Sequence, residues 1–410
     1  MLALLHHFTT AMFKTPSLQV FVVACLAACA AASAAEPKLQ HPLTTAPLDG
    51  DMPGRGWGSV PIQEATWFEM GYSLNITFGN PPQQVPVYLD ISSPDSWVTP
   101  EALPDRHRVC ETAPTFNTSA SSTFLATSTF ARFHFDWLWG QGNLSYDTVS
   151  FGSLSVQHQA FAIPDYISSD AWGFNACPMA GIIGLAPFSS RTERDDFGKP
   201  SPLVSMALQK ALSKNLFALR LHGPRAELSF GRTNPGLYRD GFIAEAPLTR
   251  HRSRIWDGGW QTTASHLRLE AWDADNSFVA DLGNVPATFS TRSPQIHLPK
   301  AVYDSVYAAA GFEQLPGWLM PPTVDCARRF DMPNVTIALG DGMESLTLTA
   351  FEYTMVWPLA DPGPPQCACL FTTSSGFDWS GEIILGWAFV RAFYVVFDLD
   401  EKMIRFATLS

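Results

Sequence analysis

The sequence predicts an all-β protein built of two lobes, and three observations carry that reading. From Thr66 onward, apolar and polar residues alternate in short runs, WFEMGYSLNITFG and then VPVYLDIS. That is the period of half-buried strands. Glycine-bearing turns separate the runs, and the chain holds 32 prolines and 28 glycines, as many short strands and hairpins require. With 410 residues and 46% hydrophobic content, the chain can bury a large core in more than one lobe.

The elements follow in order. Lys14 precedes an apolar run, Leu18 to Ala32, that ends in Ala32-Ser33-Ala34. Residues 1–34 therefore read as a secretory signal peptide. The run is too short and alanine-rich for a membrane anchor, and no later stretch is apolar enough to span a bilayer. Residues 35–63, rich in Pro, Gly, Thr and Asp, read as an irregular arm or short propeptide. Beyond the first strands come a polar loop, Pro100 to Ser122, and a hairpin region, FARFHFDWLWGQGNLSYDTVSFGSLSV. In AGIIGLAP, Ala180 to Pro187, glycines bound two isoleucines and permit close strand packing. Pro202 to Ala211 has helical apolar spacing, and short strands with turn signals run on through Trp260 and Leu267.

Composition narrows the function. Charged residues make up 16% and the net charge is −12. An acidic chain poor in Lys and Arg is a weak candidate for nucleic acid. No HExxH, phosphate loop or paired CxxC is present, so no metal or other cofactor is expected. Of 7 cysteines, Cys25 and Cys29 fall in the leader. Cys110, Cys177, Cys326, Cys367 and Cys369 remain, an odd set that leaves at least one thiol unpaired or paired elsewhere. Sequons at Asn75, Asn117, Asn143 and Asn334 suit a glycosylated protein of the secretory pathway or vacuolar lumen.

The chain is organised around Val85 to Val98, VPVYLDISSPDSWV. A buried strand ends in one acid, Asp90, followed by a small polar turn and Trp97-Val98. That is how a fold aims a carboxylate into a cleft. With FGNPPQQV upstream, the stretch resembles the first active-site segment of the pepsin-like aspartic proteases, secreted fungal-type members among them. Ile91 and Ser92 stand where that family has Thr and Gly. AGIIGLAP, ELSFG at Glu227 to Gly231, and the closing IILGWAF, FYVVFD and IRFA match further family segments in order. The resemblance implies a bilobal all-β fold with an interlobe cleft and a flap hairpin. It divides the chain into lobes over residues 64–225 and 226–410. It also implies a disulfide from Cys326 to Cys367 or Cys369, while a pairing of Cys110 with Cys177 in the first lobe is left open by the sequence. The family's flap carries a tyrosine. Its place here falls near Phe135 to Trp137, where ordinary hairpin packing is the simpler role for any one aromatic.

The family repeats its Asp turn, and the landmark Leu298-Pro299-Lys300 locates the second copy at Ser290-Thr291-Arg292-Ser293. Ser290 occupies the position of the second acid and Arg292 that of a glycine. Family proteolysis uses two carboxylates about 3 Å apart that share a proton and hold a water. A neutral serine hydroxyl cannot take the base role. Arg292 either turns outward or points into the cleft, pairs with Asp90 and fills the water's place. Asp90 then reads as a structural acid held by turn amides, and Ser93 and Ser293 as turn hydroxyls. The leading expectation is a monomeric pseudoprotease, with Ser290 non-functional, whose cleft binds an extended peptide or an apolar small molecule. The alternatives are an active acid endopeptidase with an unusual site, and a non-proteolytic catalyst of an apolar small molecule.

Overall fold

The computed structural model describes residues 56–64, 71–103, 113–135, 138–168, 179–187, 198–249, 259–271, 277–313, 321–340, 344–357, 364–373 and 382–410. Strands β1 (Gly58–Glu64), β2 (Tyr72–Phe78) and β3 (Gln83–Asp90) form an antiparallel meander. Alternation drives it: in β2, Leu74, Ile76 and Phe78 are buried while Asn75 faces out. The arm expected over 35–63 is thus not irregular throughout. From Gly58 it is β1, with Val60 and Ile62 buried, an alternation obscured in sequence by Gly58 and Pro61. Residues 1–55, with the expected leader, lie outside the described residues.

The first half continues through β4 (Trp97–Val98), β5 (Leu125–Phe135), β6 (Leu138–Phe151), β7 (Leu154–Ile167) and β8 (Gly181–Gly184). Helix α1 (Pro202–Leu208) buries Leu203 and Met206. Then come β9 (Leu216–Arg220), β10 (Glu227–Phe230) and β11 (Tyr238–Pro247). The second half holds β12 (Gln261–Glu270), β13 (Phe278–Phe289), β14 (Ile296–Leu298) and helix α2 (Lys300–Ala310). It continues with β15 (Thr323–Asp325), β16 (Asn334–Leu339), β17 (Glu344–Leu348), α3 (Ala350–Tyr353) and β18 (Thr354–Trp357). Last are β19 (Gln366–Cys369), β20 (Phe371–Thr373), β21 (Ile383–Leu385), α4 (Trp387–Val390), β22 (Tyr394–Asp398) and β23 (Met403–Leu409).

Among the described residues, one sheet runs β11-β23-β22-β9-β10-β1-β2-β3-β8-β4-β7-β6-β5 and a second runs β17-β16-β12-β13-β21-β14-β20. A small sheet runs β15-β19-β18, and β19 leads directly on into β20 of the second. The closing strands β22 and β23 return to join β9 and β11, so the last strands of the chain tie its halves together. An aromatic cluster fills that junction. Phe217 stacks on Phe397 at 4.7 Å between centroids, and Trp260 meets Phe397 at 5.1 Å. This is the bilobal pepsin-like architecture.

The described cysteines resolve one pairing. Cys326 and Cys367 form a disulfide with Cα atoms 4.9 Å apart, and Cys369 is a buried thiol. Cys110 and Cys177 lie outside the described residues. Asn75, Asn143 and Asn334 are exposed, whereas Asn117 is half-buried and its Oδ1 caps the turn at Thr118–Ala120. Among the described residues no helix is long and apolar enough to cross a membrane.

Candidate active site

The site is built from one backbone device used twice. In the first half the chain leaves β3 at Asp90, crosses the end of β8 and enters β4, giving the order β3-β8-β4. In the second half it leaves β13 at Phe289, crosses β21 and enters β14, giving β13-β21-β14. Each crossing presses the turn onto a glycine. A Cβ on Gly184 would lie 2.5 Å from the carbonyl oxygens of Ser93 and Asp95. One on Gly386 would lie 2.2 Å from the carbonyl oxygen of Gln295. Only glycine lets backbone approach backbone so closely. The serine after each turn's centre does the same task in both copies: the Asp95 N–H donates to Ser93 Oγ and the Gln295 N–H to Ser293 Oγ.

Asp90 and Ser290 therefore occupy matching places, and the two turns meet. Asp90 is only 1% exposed. Its Oδ1 accepts from the Ser92 N–H at 2.8 Å and from the Ser92 hydroxyl at 2.6 Å. Its Oδ2 accepts from Arg292 Nε at 2.8 Å. Arg292 thus points inward from the second turn. Ser290 Oγ lies 3.4 Å from Ser92 Oγ and accepts the Arg292 N–H at 3.2 Å. Because the Ser92 proton goes to Asp90, the Ser290 hydroxyl is the donor to Ser92. The donors of this centre run toward Asp90, and a fixed cation, not a second carboxylate, faces it.

Thr291 joins the turns from the side. Its hydroxyl donates to the carbonyl of Leu89 at 2.6 Å and accepts the Ile91 N–H at 3.2 Å. The Trp260 indole N–H reaches the carbonyl of Leu185 at 3.0 Å, a further bond between halves. Sequence reasoning read Gly184 as a glycine of close strand packing but did not single out Gly386 or Trp260 for the site. The signal for Gly386 was present, since it directly follows a short strand of three aliphatic residues, Ile383–Leu385.

The β5–β6 hairpin has Phe135 and Leu138 as its last paired residues. The Phe135 side chain and the whole of Trp137 lie outside the described residues. Phe133 is buried and stacks on Trp97 at 4.9 Å, pinning the hairpin to β4. Gly140 makes room for it, because a Cβ there would come within 2.3 Å of the Phe133 ring. His297 sits in β14, where burial pushes its imidazole down to about 4. It is a neutral side chain of the strand. Among the described residues no group of three or more His, Cys, Asp or Glu could hold a metal.

Comparison with known proteins matches this architecture. The family model described as "Eukaryotic aspartyl protease" covers residues 71–409. The chain is similar to cathepsin D of Gallus gallus, 27% identical over 83% of this chain and 81% of the relative. It is similar to vacuolar protease A of Aspergillus fumigatus, 27% identical over 82% and 78% respectively. It is 29% identical to cathepsin D of Dictyostelium discoideum over 85% of this chain and 86% of that protein. A family match over most of the chain, on a fold that repeats one backbone turn in each half, with Asp90 in the first and Ser290 at the matching place of the second, places this protein in the eukaryotic aspartyl protease family.

Proposed function

We propose that this protein is a pseudoprotease of the secretory or vacuolar lumen, holding an extended peptide in its cleft without cutting it. The observation that supports this reading is the 2.8 Å contact of Arg292 Nε with Asp90 Oδ2, opposite Ser290. Peptide hydrolysis by the family's route needs one carboxylate to take a proton from water and a second, protonated, to give one to the scissile carbonyl. Here Asp90 already accepts three donors. Ser290 is a neutral hydroxyl, and the guanidinium stays charged at any working pH. The pair sums to zero charge, so the mutual repulsion that splits two carboxylates into an acid and a base has no counterpart. The family's cleft, shaped for peptide, keeps its use as a binding groove.

Cleavage of a denatured mixed-protein substrate at acid pH tests this. Wild type releases no peptides, while the Ser290→Asp, Arg292→Gly double variant restores the second acid, vacates the water's place and gains cleavage that pepstatin blocks. Pepstatin-sensitive cleavage by wild type, lost in Asp90→Asn, overturns the reading.

A further inference from the structure

The cross-turn bonds are one-sided. Thr291 Oγ1 ties the second turn to Leu89 and Ile91 of the first. Ile91 sits in the matching place of the first turn and has no hydroxyl with which to return those bonds. The charged contact that crosses between the turns is Arg292 with Asp90. It is well placed to carry load. The Asp90 side chain is 1% exposed and that of Arg292 14%. Asp90 is held rigid from its own side by the Ser92 amide and hydroxyl. Opening a buried pair of this kind strands a carboxylate away from water, which is costly.

We infer that the Arg292–Asp90 ion pair is a latch between the two lobes, standing in for the half of the side-chain grip that Ile91 cannot form. Asp90 is the fixed half of the latch and Arg292 the moving half. This assigns Asp90 a task in which proteolysis has no part. It also makes a demand: a hydroxyl at position 91 can take over the grip and make the ion pair dispensable.

Hydrogen exchange of the full chain tests it, read at the amides of Ile91, Ser92 and Arg292, each of which donates to a side-chain oxygen within the two turns. Strand β22 is the reference. In Arg292→Gln, exchange at the three amides rises about tenfold or more while β22 is unchanged. Adding Ile91→Thr to that variant restores protection. If Arg292→Gln alone fails to fold but the double variant folds, the latch is equally supported. Unchanged exchange at the turns, an equal rise in β22, no rescue by Ile91→Thr, or failure of both variants to fold overturns it. Cleavage plays no part in this readout, so the latch and the pseudoprotease reading fail separately.

Discussion

Arg292 turns inward to face Asp90, and that direction was not legible in the sequence. A long side chain replacing a turn glycine can reach either way, and the acid that captures it lies 202 residues earlier. Identity at positions 90, 290 and 292 was readable from the repeated turn, but the charge pairing was not. The pairing has a measurable consequence. Arg292→Ala leaves Asp90 buried without its cation and lowers unfolding free energy by about 3–5 kcal/mol. Adding Asp90→Asn recovers part of the loss, because a neutral amide needs no countercharge; urea denaturation of the set reads both effects. Cys369 gives a second prediction at this scale. Burial pushes its thiol up to about 12 and its Sγ–H donates to the carbonyl of Phe371. The thiolate is the reactive form, so in the native protein at mildly alkaline pH Cys369 escapes iodoacetamide. After unfolding it labels readily, as peptide mass mapping will show.

At the scale of elements, what sequence could read were periods, and what it could not were registers. The alternation in β2 and the helical spacing of α1 are local properties that survive without a partner. Pairing of Cys326 is different. Cys367 and Cys369 stand two apart on one strand and present the same face, so spacing alone cannot choose between them. The register of β15 against β19, which sets Val324 opposite Cys367, makes the choice. The glycines beneath the two turns follow the same logic, since their need becomes visible only when the crossing chain is in place. Gly184→Ala and Gly386→Ala each drive a methyl group into backbone carbonyls that cannot swing aside. Each is expected to cost about 1–3 kcal/mol or more. Gly386→Ala also disturbs the second turn, so exchange at the Arg292 amide rises with the loss of stability. A fall in stability without that local change argues against the crossing as the cause.

For the whole molecule, two electrostatic effects oppose each other as the medium turns acid. The net charge of −12 means that protonating carboxylates relieves self-repulsion. That relief is spread over the surface and screened beyond about 8 Å at physiological salt. His297 acts in the other direction, because burial holds its imidazole at about 4 against an ordinary 6.5. The folded state favours the neutral ring, so its contribution is complete above 6.5 and is lost as pH falls from there toward 4. At about 1.4 kcal/mol for each tenfold change in proton affinity, the loss approaches roughly 3 kcal/mol. If the local term is the larger, the expected outcome is a fold that weakens on acidification across that window even though its net charge shrinks. Thermal unfolding of wild type and His297→Gln across the window checks this. The wild type loses Tm by a few degrees and the variant, with no ring to charge, loses less. Parallel falls in the two proteins would move the cause to the surface carboxylates, and a rise in both would mean that relief of repulsion governs this fold in acid.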